Sequence, residues 1–388
     1  MKFETKAIRL QTERSQHREH STAIYPTSSF VFENVAQMQS TFAGEVGGNI
    51  YSRFTNPSVQ EFEDKMAQLE GVDKAVATAS GMAAIVASFL SLLQAGDHVI
   101  ASRAVFGSSF QFLQHSLPQY GISVTFVDAS VLNDCEQAIQ ANTKLFYLET
   151  PSNPGLVVYD IKAISEFCKA HDILLNVDNC FCTPYLQNPA DFGADLVTHS
   201  ATKFIDGQGR VLGGAVAGRE DLVEKVFQFI RRTGASLSPF NAWILSKSLE
   251  TLAVRMDRHC DNAKALAIWL QGHTLVSHVN YPFLQSHEQY DLAKKQMKQG
   301  GGIVTFELKG GQQAGQQFLD ALNMLSLTAN LGDTRSIASH PASTTHLKVP
   351  KADREIVGIT DGLIRISTGL EHIDDIVGDV EQAFSKIT

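Results

Sequence analysis

Residues 173–204 read ILLNVDNCFCTPYLQNPADFGADLVTHSATKF. Two short apolar runs, ILLNVD (173–178) and DLVTHS (195–200), each stop on polar residues. Pro184, Pro189 and Gly193 punctuate the chain between them. Runs of this length bounded by turn signals read as buried strands. The pattern repeats outward, in KAVAT from 74, HVIAS from 98, VTFVD from 124, KLFYLE from 144 and LGGAVAG from 212. Helical spacing separates several of them, as at Gly81–Leu93 and Ile161–Lys169. Alternating strands and helices predict a mostly parallel sheet covered on both faces. Ligands in such sheets sit beyond the carboxyl ends of the strands, so the residues that close each run carry the most information.

Three of these run ends stand out. Ser80-Gly81-Met82 follows the first run and opens a helix. Its free N–H groups suit an anion such as phosphate, although Ser80 serves equally as an ordinary helix cap. Asp178 closes ILLNVD, where a carboxylate can hold a cationic ring nitrogen or simply cap a turn. Ser200-Ala201-Thr202-Lys203 follows DLVTH. A lone lysine is usually a solvated surface charge, but one desolvated at a strand end becomes a nucleophilic amine. Ser200 and Thr202 flank Ala201, so both hydroxyls can face a phosphate, and the glycines of GQGR (207–210) and LGG (212–214) permit close backbone packing. A phosphate turn, an Asp and a Ser-x-Thr-Lys, in that order in one α/β unit, form a more specific set than any member alone.

The rest of the chain bounds the answer. The 388 residues suffice for more than one domain. With 32 Lys+Arg against 41 Asp+Glu, the net charge of -9 argues against a broad nucleic-acid or membrane surface. The charged start MKFETKAIRLQTERSQHREH lacks the apolar core of a secretory signal, and no run is long enough to span a bilayer. Five cysteines without a disulfide framework suit a reducing cytosol. Cys180 and Cys182 could form a metal pair, but no second Cys or His pair lies nearby, and buried free thiols are the plainer reading. No metal is expected. Residues 1–60 are loop-rich and predict an arm that wraps another domain or subunit. Residues 61–255 hold the strand–helix alternation, with helical chain from about 219 to 270. Residues 256–388 predict a smaller α/β domain, with strand candidates VTFEL (304–308) and LIRIS (363–367) and an amphipathic helix from Glu371 to Ile387.

The motifs YSRFTNPS (51–58), ASGMAA (79–84), ETPSNP (149–154), VDNCF (177–181), HSATKF (199–204) and RISTGLE (365–371) resemble those of the Cys/Met-metabolism family of pyridoxal-5′-phosphate (PLP) enzymes. The likeness runs from about residue 20 to the C-terminus. It implies the PLP-dependent transferase fold of aspartate-aminotransferase type, PLP as cofactor, and a cytoplasmic homotetramer built from dimers that share active sites. It also implies roles. Lys203 is the catalytic Schiff-base lysine and Asp178 the partner of the pyridine nitrogen. Gly81, Met82, Ser200 and Thr202 hold the phosphate, and Tyr51 and Arg53 reach the neighbouring subunit's phosphate. Phe106 stacks on the ring, and Asn153, Asn330 and Arg365 bind the substrate. The stretches PTSSFVFENVAQ (26–37), FGSSFQ (106–111), FIDGQGRVLGG (204–214), RMDRHCDNA (255–263) and NLGDTRSIASHPASTTH (330–346) are similar to the branch that joins O-succinyl-L-homoserine to sulfide, giving L-homocysteine and succinate. O-acetylhomoserine sulfhydrylation, cystathionine γ-synthesis and γ-elimination are the neighbouring activities, and a catalytically silent PLP-binding protein is the alternative outside enzymology. Gln208 stands where the synthase and lyase branches usually carry His, Phe106 where members often carry Tyr, and Cys180 where Thr is common. Arg210 and Arg335, each in a Gly-containing loop, are candidates for the extra carboxylate of a succinyl ester.

Overall fold

The computed structural model describes residues 1–347 and 351–387; residues 348–350 and 388 of the expected C-terminal domain lie outside them. The chain begins with helix α1 (Phe3–Arg9), then α2 (Val35–Ala43) and α3 (Pro57–Glu70). Asn34 and Asn56 cap α2 and α3 through their side chains, and αL glycines, Gly44 and Gly71, end them. Ala7 is buried against the main core, with Phe3 packed beside it. The segment around α2 instead leaves Val31, Val35 and Phe42 exposed.

Seven strands then build one sheet: β1 (Lys74–Thr78), β2 (His98–Ser102), β3 (Ser123–Val127), β4 (Thr143–Glu149), β5 (Leu174–Asp178), β6 (Leu196–His199) and β7 (Gly214–Gly218). Their order is β1-β7-β6-β5-β4-β2-β3. Only β7 runs against its neighbours β1 and β6, so the expected mostly parallel sheet is present with one reversed strand. Near-continuous burial along these strands matches a sheet covered on both faces. Helix α4 (Gly81–Leu90) follows β1 and packs on β7.

A second sheet comprises β8 (Val276–Asn280), β9 (Ile303–Leu308), β10 (Ser326–Leu327), β11 (Ile337–Ser339) and β12 (Leu363–Ser367), ordered β10-β11-β12-β9-β8. Helix Leu252–Gln271 links the two parts. Leu252 and Met256 join the main core, whereas Leu266 and Leu270 join the core of the second sheet. Each such fully buried side chain contributes roughly 1.5–3 kcal/mol of transfer free energy. The expected boundary at residue 255 falls within the first turns of this helix. Helix Ile373–Phe384 closes the chain on the second sheet, burying Ile376, Val380 and Phe384.

Register brings the site together. Glu149 pairs with Asp178 across β4 and β5, and Asp178 with Thr198 across β5 and β6. Three adjacent parallel strands therefore end at one level, and Lys203 lies in the turn beyond the third.

Candidate active site

At those strand ends lies a cavity of about 220 Å³. It is lined by Gly81, Met82, Phe106, Asn153, Asp178, Ser200, Thr202, Lys203 and Arg365, which the sequence had singled out from segments far apart in the chain. Ser80 caps α4 by accepting the Ala83 N–H at 3.2 Å. The cap uses that donor, while the first N–H groups, of Gly81 and Met82, have no intrahelical acceptor. Gly81 is required by contact, since a Cβ there would fall 2.5 Å from Ser200 Cβ. The result is a small cradle between a helix N-terminus and the Ser200 turn, which suits a phosphate. The Thr202 hydroxyl is already engaged with Gly213, donating to its carbonyl at 3.2 Å and accepting its N–H at 3.1 Å.

Asp178 is buried in the same lining. Its Oδ1 accepts the Cys180 N–H at 3.0 Å and its Oδ2 the Tyr147 hydroxyl at 3.2 Å. Burial raises its pKa above the usual carboxylate range, opposed by the Cys180 N–H, His199 and the Tyr147 hydroxyl. A cation beside it, such as a pyridinium, reverses that shift. Behind Asp178, the fully buried His199 Nε2 and Glu70 Oε1 lie 2.5 Å apart, and Asn179 Nδ2 donates to the same Glu70 oxygen at 3.2 Å.

Lys203 Nζ donates to Asn330 Oδ1 at 2.6 Å. Burial lowers its pKa, Cys180 raises it, and the charge of Arg365 lowers it further. The amine is thus nearer to its nucleophilic form than a surface lysine. Arg365, on β12, is 1% exposed. Its Nη1 donates to Asn153 Oδ1 at 2.8 Å and its Nη2 to the Asn330 carbonyl at 3.2 Å, while its buried Nε has no partner among the described residues. Burial lowers its pKa to about 10, against the pull of Glu149.

Glu149 was missed by the sequence reading. It lines the cavity, and its Oε2 accepts the Phe106 N–H at 2.7 Å. Burial and then the Asp178 charge push its pKa well up. It closes the run KLFYLE as Asp178 closes ILLNVD, so the strand-end rule already pointed to it. Cys180 and Cys182 are free thiols whose pKa values burial drives upward, and no group of three or more potential metal ligands occurs among the described residues.

Five candidates do not line the cavity: Asn330, whose side chain still accepts from Lys203, and four others. Tyr51 and Arg53 border an apolar recess with Phe30, Phe32, Met38 and Phe42. The Arg53 guanidinium lies 4.7 Å from the Phe54 ring centroid and 5.4 Å from that of Tyr51, and it donates to the Arg231 carbonyl. Arg210 and Arg335 are tied to Asp206 and Asp333, each at 2.9 Å. Neither lines the Lys203 cavity, so the succinyl-binding role expected for them finds no support: both charges are spent within their own loops.

A lysine set between a phosphate cradle, a buried strand-end carboxylate and a buried arginine, on a sheet of this order, defines a PLP-dependent enzyme. The chain belongs to the Cys/Met metabolism PLP-dependent enzyme family, whose pattern it matches over residues 4–385. It is 48% identical over 385 residues to O-succinylhomoserine sulfhydrylase of Pseudomonas aeruginosa, covering 99% of this chain and 96% of that one. It is 42% identical over 387 residues to L-methionine γ-lyase of Fusobacterium nucleatum, covering 99% and 98%. A Campylobacter jejuni structure assigned as an O-acetylhomoserine (thiol)-lyase superposes with a TM-score of 0.96 at 34% identity, over 99% of this chain and 100% of that one. That structure carries an N′-pyridoxyl-lysine-5′-monophosphate. No helix among the described residues is long and apolar enough to cross a membrane.

Proposed function

We propose that this enzyme catalyses γ-replacement, converting O-succinyl-L-homoserine and sulfide to L-homocysteine and succinate. The observation that carries the reading is the convergence of Lys203, Asp178, the Gly81–Met82 helix start and the Arg365–Asn153 pair on one cavity. Its substrate choice is supported by the 48% identity with the Pseudomonas aeruginosa sulfhydrylase.

PLP, when bound, supplies an electron sink for carbanions next to the substrate amine. Gly81 and Met82 N–H groups and the Ser200 hydroxyl hold its phosphate. Asp178 would hold its ring nitrogen in the protonated form, and Phe106 would pack against the ring. Arg365, planar and two-pronged, takes the substrate α-carboxylate, with Asn153 beside it. Lys203, whose burial favours the free amine, takes the proton from Cα and returns one at the end. Lys203 would hand that proton on before taking a second from Cβ; succinate would then leave Cγ with the C–O electron pair, hydrosulfide would add at Cγ, and protons would be restored to Cβ and then Cα. Phe106 has no hydroxyl, so these proton movements fall mainly to Lys203.

The same reading makes the protein a cytosolic homotetramer of dimers in which Tyr51 and Arg53 serve a neighbour's phosphate site. Their absence from the lining of this chain's own cavity supports that arrangement, and the five free thiols support the compartment. A second reading, γ-elimination, is favoured by the 42% identity with methionine γ-lyase. Initial rates with succinyl and acetyl esters, each with sulfide or cysteine, and with methionine alone, separate the two once products are identified. Release of 2-oxobutyrate without thioether or thiol product would sink the replacement reading.

A further inference from the structure

Beside the lysine cavity lies a second cavity of about 290 Å³. Asn153 lines both. The second lies between the loop after β2, the loop after β4 and the segments around His346 and Val357. Phe110 and Phe126 give it an apolar wall. Among the described residues no Asp or Glu lines it and its cation is Arg103, whose guanidinium makes no hydrogen bond or ion pair with any of them. Arg103 also borders a neighbouring recess containing Asp128, Glu288 and Glu355, and pairs with none of them.

The cavity is also lined by a histidine with an unpartnered ring nitrogen. His346 is 3% exposed, and its Nδ1 lies 2.9 Å from Thr345 Oγ1. Its Nε2 is buried with no partner among the described residues, and it is a donor in the tautomer whose Nδ1 accepts the Thr345 hydroxyl. An orphaned buried donor is costly and asks for an acceptor. Burial, then the charges of Arg365 and Arg354, lower the His346 pKa to about 4, so the ring is neutral. Ser152 Oγ accepts the Val157 N–H at 3.1 Å, which leaves its own O–H to donate.

We propose that this cavity receives the terminal carboxylate of a dicarboxylic half-ester, with Arg103 as its cation and His346 as a second donor. A free guanidinium, donors without acceptors and an apolar wall suit a short aliphatic chain ending in a carboxylate. Asn153, bonded to Arg365 at 2.8 Å, then stands between the two carboxylates of one substrate. Arg103 takes over the role for which Arg210 and Arg335 are already spent. The inference rests on the O-succinylhomoserine reading above and adds to it the residues that select succinyl over acetyl.

The test uses the holoenzyme and its Arg103→Gln, Arg103→Lys and His346→Gln variants, with folding checked by circular dichroism. The ratio of kcat/KM for succinyl over acetyl ester should fall roughly ten-fold or more in Arg103→Gln, the scale of a lost charged hydrogen bond. It should fall less in Arg103→Lys, and Arg210→Gln and Arg335→Gln should leave it unchanged. An unchanged ratio in Arg103→Gln overturns the proposal. Calorimetric titration with succinate and butyrate supplies an arm independent of turnover. Wild type should bind succinate more tightly than butyrate, and Arg103→Gln should abolish the difference. Equal binding of both acids by wild type also overturns the proposal. If wild type turns over neither ester yet binds succinate through Arg103, the assigned reaction falls while the carboxylate site stands.

Discussion

Lys203 Nζ lies 2.6 Å from Asn330 Oδ1, a bond that ties the turn beyond β6 to the loop between β10 and β11. The amide oxygen favours the ammonium, whereas burial and Arg365 favour the free amine. Because the folded pKa lies below that of ordinary lysine, cofactor capture by the stripped enzyme should reach its plateau at a lower pH than a surface lysine allows. Asn330→Leu removes the acceptor and should move that midpoint lower still. Lys203→Ala should abolish covalent attachment. Borohydride reduction and peptide mapping check this, and label on another lysine would refute the assignment.

Asp178→Asn keeps the shape of the wall but not its charge. A charged hydrogen bond is typically worth about 1.5–3 kcal/mol, so kcat/KM should fall roughly 10- to 100-fold while some cofactor is retained. Steady-state kinetics and the cofactor's absorbance give both numbers; near wild-type turnover would leave Asp178 a mere turn cap.

Tyr51 and Arg53 line a recess other than the Lys203 cavity of their own chain. Mixing inactive Arg53→Ala subunits with inactive Lys203→Ala subunits should therefore restore partial activity, since some sites combine two intact contributions. Verified mixed dimers that stay inactive would assign both residues to their own subunit's site.

The Glu70–His199 pair is fully buried and sits behind Asp178. Removing one partner of such a pair commonly costs about 3–5 kcal/mol, because the other is left buried and uncompensated. Glu70→Ala should lower the urea midpoint accordingly. A loss within experimental error would mean that the pair is readily replaced by water.

Phe106 supplies packing and a backbone N–H to Glu149, but no proton. Phe106→Leu should weaken cofactor retention and lower turnover without changing which bonds break. Phe106→Tyr should be tolerated and raise 2-oxobutyrate release in the absence of sulfide. If Phe106→Leu binds and turns over like wild type, the ring does not stack on the cofactor.

The strand-end reasoning worked where the chain is most regular. Asp178 ends and Lys203 follows short, buried, parallel strands whose apolar runs are unmistakable, and the structure places both in one cavity. The reversed direction of β7 was not legible, because GAVAG reads alike in either direction. The second sheet was half hidden. β10 and β11 span two and three residues, too short for a period, and β8 alternates through Ser277, His278 and Asn280. Helix α1 escaped notice inside a charged opening whose buried contact comes from Ala7. Arg103 and His346 could not be recognised from the chain at all, since only folding places them on one cavity.

Arg365 is a full positive charge held 1% exposed, with amide oxygens for partners and one N–H left over. Glu149, the nearby carboxyl, is itself pushed toward neutrality. The native fold is therefore short of one counter-ion, and under the proposed function the substrate's α-carboxylate is the one that arrives. Binding and folding are linked through that vacancy: any small amino acid that reaches Arg365 acts as a stabiliser whether or not it reacts. Heat resistance in the presence of unreactive amino acids thus becomes a ledger-free gauge of how well each one's carboxylate is seated.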